Sequence, residues 1–395
     1  NVIIQTNGIM ICTGPFADTS MSNRVNVWCT NLAIEAGGSI DVSARGYKGG
    51  LNNGPGGGEN NSSAGGAGHG GSGSWGTQGT VSGRRGVTND SAIAPSVPGS
   101  GGGYSTAVGG TSSDGHGGGV VRIQAAGAVQ VNGRILANGK SPGGDRGGGG
   151  AGGSIWAACR TFAGTNGLIA ANGADGTGVA GSGGGGRIAV AYDPAAQNGI
   201  PLPSVAFETK AGERADLGTL AFTDDRFVGQ TVTNIHGQLV GLAQWRGDHL
   251  TVSNCWIRFP EPGFHMIVTN DLAVMGTTGR LDIGGNSAVL GGINYFVVSD
   301  MTSPPVVSIG GRLIVTNRGS FYVYAGVTNA VTTNYGALVS VTGAVIVGGN
   351  GALYPMSHAT NGGSVLWRVG SLSVLGTNAG VNADGAGYQG GALSG

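Results

Sequence analysis

The sequence predicts an all-β fold, a right-handed parallel β-helix (a β-solenoid) with glycine-rich lateral insertions. Three observations predict it. Short runs of alternating apolar and polar residues recur along the chain, which is the signal of a half-buried strand. In the first half they return at a nearly fixed spacing: Val121, Ile155 and Ile188 stand 34 and 33 residues apart. No segment keeps helical apolar spacing over three turns, and glycine interrupts nearly every candidate.

The repeating unit is an alternating strand, a short polar turn, and the pattern apolar-x-apolar-x-x-x-Gly-x-apolar-x-apolar. It reads NLAIEAGGSIDV at 31–42, DLAVMGTTGRLDI at 271–283 and RLIVTNRGSFYVY at 312–324, with further copies near Val345 and Leu372. A single coil of this kind cannot bury its own apolar face, so stacking on neighbours must supply the core. Roughly nine coils at about 4.8 Å each predict an axis of roughly 40–45 Å. Asn31, Asn234, Asn270 and Asn317 follow threonines at expected corners, where asparagine tolerates left-handed backbone and can ladder between coils. The expected organisation is first coils over 1–45, a glycine-rich insertion over 46–119, and coils with glycine-rich loops over 120–192. A linker with three prolines over 193–217 and a second β-helix half over 218–395 complete it.

Eighty-five of the 395 residues are glycine and 10% are charged. Ordinary globular chains hold about 7% glycine and about 25% charged residues. Two arrangements suit runs such as GPGGGENNSSAGGAGHGGSGSWG: flexible loops leaving the solenoid, or a packed bundle of extended polyglycine-II strands. In the bundle, Trp75 and Tyr104 would cover the surface. Twenty cationic residues balance twenty anionic ones. That balance excludes a phosphate-neutralising nucleic-acid binder and a polybasic membrane-surface protein. No apolar run reaches membrane-spanning length. The absence of an initial Met and a mid-pattern last residue suggest a piece of a longer or processed product.

Candidate chemistry is sparse. Asp224 and Asp225 are the only adjacent acidic pair, and His116 in Gly-His-Gly followed by Arg122-Ile123 superficially resembles polygalacturonase elements. There the paired aspartates precede that histidine, whereas here they follow it by more than a hundred residues, so order and spacing both fail. The pair reads as a solvated turn, and His69, also in Gly-His-Gly, as a product of composition. Asp175 and Asp384 each offer one carboxylate in a glycine turn, which gives calcium weak affinity at best. Phosphate-cradle readings of the glycine runs lack the following helix. Cys12, Cys29, Cys159 and Cys255 form no CxxC pair. Cys29 and Cys159 share a repeat position and read as buried core thiols, with a Cys12–Cys29 disulfide as the alternative. Trp28, Trp156, Trp245, Trp256 and Trp367 read as core or seam residues rather than sugar platforms. Asn60, Asn61 and Asn89 begin glycosylation sequons.

The strand–CxxL–GGxIxAxGxGYxGG coils, with long glycine runs over most of 23–192 and 364–395, resemble the very large secreted glycine-rich repeat proteins of planctomycete- and verrucomicrobial-type bacteria. The resemblance implies an extracellular or cell-surface structural protein and carries over no catalytic residues; no cofactor is expected beyond the weak calcium option. Polyglycine-II packing is similar to that proposed for some phage tail-tip adhesins and antifreeze proteins. Exposed strand edges on terminal coils imply head-to-tail self-association. A glycan-binding adhesin is the alternative function, and a β-helix polysaccharide-degrading enzyme a third. LAIEAGGSIDVSARGYKGG from Leu32 matches LSVLGTNAGVNADGAGYQGG from Leu372, aligning Tyr47 with Tyr388. The match reads either as two coils that each precede a glycine excursion, or as one period of a longer array.

Overall fold

The computed structural model describes residues 1–16, 24–50, 53–77, 83–106, 115–285, 303–328, 335–358, 363–384 and 386. Tyr388, and with it the Tyr47–Tyr388 correspondence, lies outside them. The chain forms two compact units: Asn1–Asp224 with His236–Gln238, and Asp225–Ile235 with Leu239–Gly395. Each unit is built of parallel ladders, as a right-handed parallel β-helix requires.

In unit 1 the first ladder stacks Val25–Cys29, Val120–Ala125, Ser154–Ala158, Arg187–Ala191 and Thr219–Phe222. The second stacks Val2–Ile4, Leu32–Ile34, Ala128–Val131 and Thr161–Ala163. The third stacks Ile9–Met10, Ser39–Asp41, Arg134–Leu136, Thr165–Ala170 and Ser204–Glu208. The alternation sets which residues point inward. Val25, Val121, Ile155, Ile188 and Leu220 form one buried column, and Val27, Ile123, Ala157, Val190 and Phe222 the next. Each fully buried aliphatic contributes about 1.5–3 kcal/mol.

The second ladder stops at Thr161–Ala163 because a one-turn helix, Pro194–Gln197, takes the next position. Asp193 caps it, accepting the Ala195 and Ala196 N–H groups, with proline at its first position. The Gln197 side chain then imitates a neighbouring peptide: its Oε1 accepts the Phe162 N–H at 2.8 Å and its Nε2 donates to the Phe162 carbonyl at 2.9 Å. Residues 193–217 therefore hold this helix and the strand Ser204–Glu208, and form a coil of unit 1.

The glycine-rich segments between the ladders form a packed bundle, not loops. One strand shows the rule. Ala64 and Ala67 donate to Arg146 and Gly149, Gly65 and Gly68 to Glu59 and Gly56, and Gly66 to Ser74. Their carbonyls accept from Gly181 and Gly184, Gly103 and Gly86. Partners repeat every three residues and radiate to six segments, which is the polyglycine-II pattern rather than a two-fold sheet. Residues 63–74 are buried throughout, and this network satisfies their backbone groups. Glycine is required here by space: a Cβ on Gly65, Gly102, Gly117, Gly150 or Gly183 would come within 3 Å of a neighbouring carbonyl. Trp75 and Tyr104 are half-buried.

In unit 2 the first ladder runs Gln244–Gly247, His265–Val268, Val306–Ile309. The second runs Thr231–Val232, Leu250–Ser253, Leu272–Met275, Leu313–Thr316. Both continue into the long bent strands Ala337–Gly348 and Val365–Leu375, which serve the two ladders in turn across a bulge. The third runs Trp256–Phe259, Arg280–Ile283, Ser320–Tyr324, Ala352–Met356 and Gly380–Val381. Asn317 takes the expected left-handed backbone, at φ 51°, and Asn31 accepts the Ala128 N–H of the next coil. The clearest asparagine ladder is one the corner pattern did not mark. Asn138 Oδ1 accepts the Asn172 N–H, and Asn172 Oδ1 accepts the Lys210 N–H, each at 2.8 Å. No helix among the described residues is long and apolar enough to cross a membrane.

Candidate functional site

The residues with catalytic potential in sequence do not converge. Asp224 is half-buried and accepts the Tyr192 hydroxyl at 2.6 Å, so it is a structural acceptor and not a solvated turn. Asp225 opens a 3-10 turn, Asp225–Phe227, and belongs to the other compact unit. His116 is buried in the bundle, where its Nδ1 accepts the Gly49 N–H at 3.1 Å. Arg122 lies on the outer face of the first ladder with its guanidinium 4.4 Å from the Trp156 ring centroid. Asp175 accepts the Glu213 N–H, and Asp384 is exposed. Among the described residues no group of three or more His, Cys, Asp or Glu side chains could hold a metal ion.

The cysteines are free thiols, so Cys12 and Cys29 are not bridged. Cys255 is buried, but Cys29 and Cys159 are only half-buried, against the expectation of core thiols. Their shared repeat position lies at a corner: Cys29 pairs with Ala125, and Cys159 follows Ala158, the partner of Gln124. One coil separates them. Burial pushes the Cys159 thiol up to about 12 and Cys255 to about 11, so neither is a nucleophile at neutral pH.

Two polar clusters could not be read from the sequence. In unit 1, His69 Nδ1 lies 3.0 Å from Asn89 Oδ1, and its Nε2 2.9 Å from Ser154 Oγ. The order Ser–His–Asn imitates a nucleophile relay, but His69 and Ser154 are fully buried and the Ser154 hydroxyl donates to the Val97 carbonyl at 2.6 Å. Arg187 completes the cluster, donating to the carbonyls of Asn89 and His69 and to Thr219 Oγ1. Ser154, Arg187 and Thr219 are register partners at the start of first-ladder strands. The cluster is thus a seam fastening the 46–119 insertion to the solenoid. Asn89, a sequon residue, is engaged in it, while Asn60 and Asn61 accept the N–H groups of Tyr104 and Ser62.

Two histidines give unit 1 a pH dependence. Burial, then Arg187, lowers His69 from 6.5 to about 4, against smaller opposing effects of Asn89 and Asp90. Burial, then Lys210, lowers His236 from 6.5 to about 4 against Glu208. The unfolded chain then binds more protons than the folded one between about pH 4 and 6.5. Stability is full above that window and falls as pH drops through it, by about 3 kcal/mol for His69 alone. Denaturation midpoints of unit 1 between pH 4 and 7 should show this slope, and His69→Gln should roughly halve it, leaving the contribution of His236.

In unit 2, Asp282 is fully buried. Its Oδ2 accepts from Trp256 Nε1 at 3.0 Å and Arg258 Nε at 3.1 Å; its Oδ1 accepts from Arg280 Nε at 2.7 Å. Arg280 is sandwiched, its guanidinium 4.2 Å from the Trp256 ring centroid and 3.8 Å from that of Tyr322. Tyr322 stacks on Tyr354 at 4.0 Å. Arg258 and Arg280 hold the Asp282 carboxyl below its usual range despite its burial. This aromatic ladder spends ring faces on internal stacking, so it is not a sugar platform.

The surface best placed to act on a partner is the outer edge of the last described coil. Leu250, Leu272, Leu313, Val345 and Leu372 form one register column, and Val252, Val274, Val315, Val347 and Val374 another. The first four members of each are at most 1% exposed, whereas Leu372 is 52% and Val374 46% exposed. The same break separates Leu353, at 2%, from its partner Val381, at 51%. These side chains continue the core pattern, and no further coil covers them among the described residues. No known family matches the chain, and no curated protein or solved structure does so either.

Proposed function

We propose that the protein is a structural component of an extracellular layer, fibre or matrix, and that it assembles by stacking solenoid coils end to end. The carrying observation is that, among the described residues, the core columns continue to Leu372, Val374 and Val381 without a covering coil. An open parallel strand of eleven residues, Val365–Leu375, with apolar residues along it, is a template for another parallel strand. The occupant of that edge is the first coil of a second copy, Val2–Ile4 and Ile9–Met10, which has the matching strand polarity and outer ladder edges of its own. The role is mechanical rather than catalytic. Zero formal net charge removes long-range repulsion between copies. The extracellular assignment rests on the resemblance to secreted glycine-rich repeat proteins, and protease accessibility on intact cells tests it.

Electron microscopy and sedimentation of the native protein test the assembly. Filaments, or oligomers that grow with concentration, are expected. The double variant Leu372→Asp/Val374→Asp should shift the material to monomer while its melting curve stays cooperative. A wild-type protein that remains monomeric at high concentration with both terminal coils intact overturns the reading.

A further inference from the structure

The outer corner between the first and second ladders of unit 1 carries a second surface, independent of the open end. Of the tryptophans set in ladder strands, four are buried or partly covered: Trp245 is buried, Trp367 packs against Phe321, and Trp156 and Trp256 each carry an arginine on the ring. Trp28 differs: it is 78% exposed and stands at the rim of a concavity of about 690 Å³. The floor is made of small residues, Ala125 and Ala158, in the coils that follow Trp28, and Arg160 and Asp193 close the far side. Four successive coils contribute, so the trough spans three inter-strand steps, about 14 Å.

Its polar groups are unspent. The Trp28 indole N–H, the Gln124 amide and the Arg160 guanidinium make no side-chain hydrogen bond or ion pair among the described residues, and all three residues are exposed. Asp193 caps its helix through Oδ1, and its Oδ2 has no hydrogen-bond partner among the described residues. One bare aromatic face, an amide, a guanidinium and a carboxylate oxygen around a shallow trough match a chain of pyranose rings. The apolar face of one ring lies on the indole, and hydroxyls further along meet donors and acceptors of both kinds. Arg160 and Asp193 cancel in charge, which selects uncharged sugars over polyanions.

We propose that this corner is a binding site for a neutral oligosaccharide, running along the solenoid axis from Trp28 to Arg160 and Asp193. The full-length protein should be titrated calorimetrically with cellohexaose, xylohexaose, chitohexaose and the anionic hexagalacturonate, up to about 5 mM, where weak single-site binding is still measurable. Saturable binding of at least one neutral hexamer is expected. Trp28→Ala should weaken it roughly tenfold or more, and Arg160→Ala and Gln124→Ala severalfold. Because Trp28 is mostly exposed, its variant should melt as the wild type does. The end-coil variant Leu372→Asp/Val374→Asp should bind unchanged, which separates this site from the assembly surface. Binding of no neutral hexamer, binding that survives Trp28→Ala, or binding of hexagalacturonate alone overturns the proposal.

Discussion

Replacing Gly117 with alanine should destabilise unit 1 by about 3 kcal/mol or more, the upper range for forcing atoms into a packed interior. Gly117 donates to the Tyr47 carbonyl and accepts from Gly46. An added Cβ would fall within 3 Å of the Gly99 and Ser100 carbonyls, which are backbone and cannot swing aside. At about 2–4 °C per kcal/mol for a unit of this size, the melting midpoint should drop by about 6–12 °C. Gly199→Ala is the control: nothing lies within 4 Å of its Cβ position, and its effect should stay within about 0.5 kcal/mol. Equal melting curves for the two variants would remove the bundle as a determinant of stability.

Neutralising Asp282 should be as damaging to unit 2. Asp282→Asn keeps the shape but leaves Arg258 and Arg280 without their anion in a buried site, at a cost of about 3–5 kcal/mol. Arg258 is 2% exposed and cannot turn to water without breaking the third ladder's outer packing. The triple variant Arg258→Met/Asp282→Leu/Arg280→Met removes the charges together and should recover much of the loss, because the desolvation cost disappears with the attraction. Urea titrations followed by tryptophan fluorescence measure both. A single variant as stable as the wild type would mean that the arginines find other acceptors.

The ladders were legible because a strand's side-chain period is two. Once Val121, Ile155 and Ile188 were recognised as equivalents, register and core columns followed without further information. The bundle was legible as a composition but not as a structure: glycine runs permit close approach without stating which runs approach. The same distance problem hid the seam, since His69, Ser154 and Arg187 are far apart in sequence and meet only once the 46–119 insertion folds back. Alternation is silent on Asp282, where an outward position in RLDI carries a charge that is nevertheless buried. Asp193-Pro194 carries a helix start, a capping carboxylate followed by proline, but the surrounding prolines give the segment the look of a linker. The bare Trp28 face depended on which neighbours lack an arginine in the next coil, a comparison that needs the register first.

The three-residue alternation of partners in the glycine bundle has a mechanical consequence. A β-sheet holds its strands in one plane, so it is stiff along its hydrogen bonds and slips or peels across its faces. In the bundle the strand 64–68 is tied to segments on all sides. A sideways pull from any direction therefore loads several backbone hydrogen bonds at once, and no cleavage plane exists for the pull to open. The solenoid contributes strength along one axis, and the bundle beside it behaves as a laterally isotropic cross-linked block.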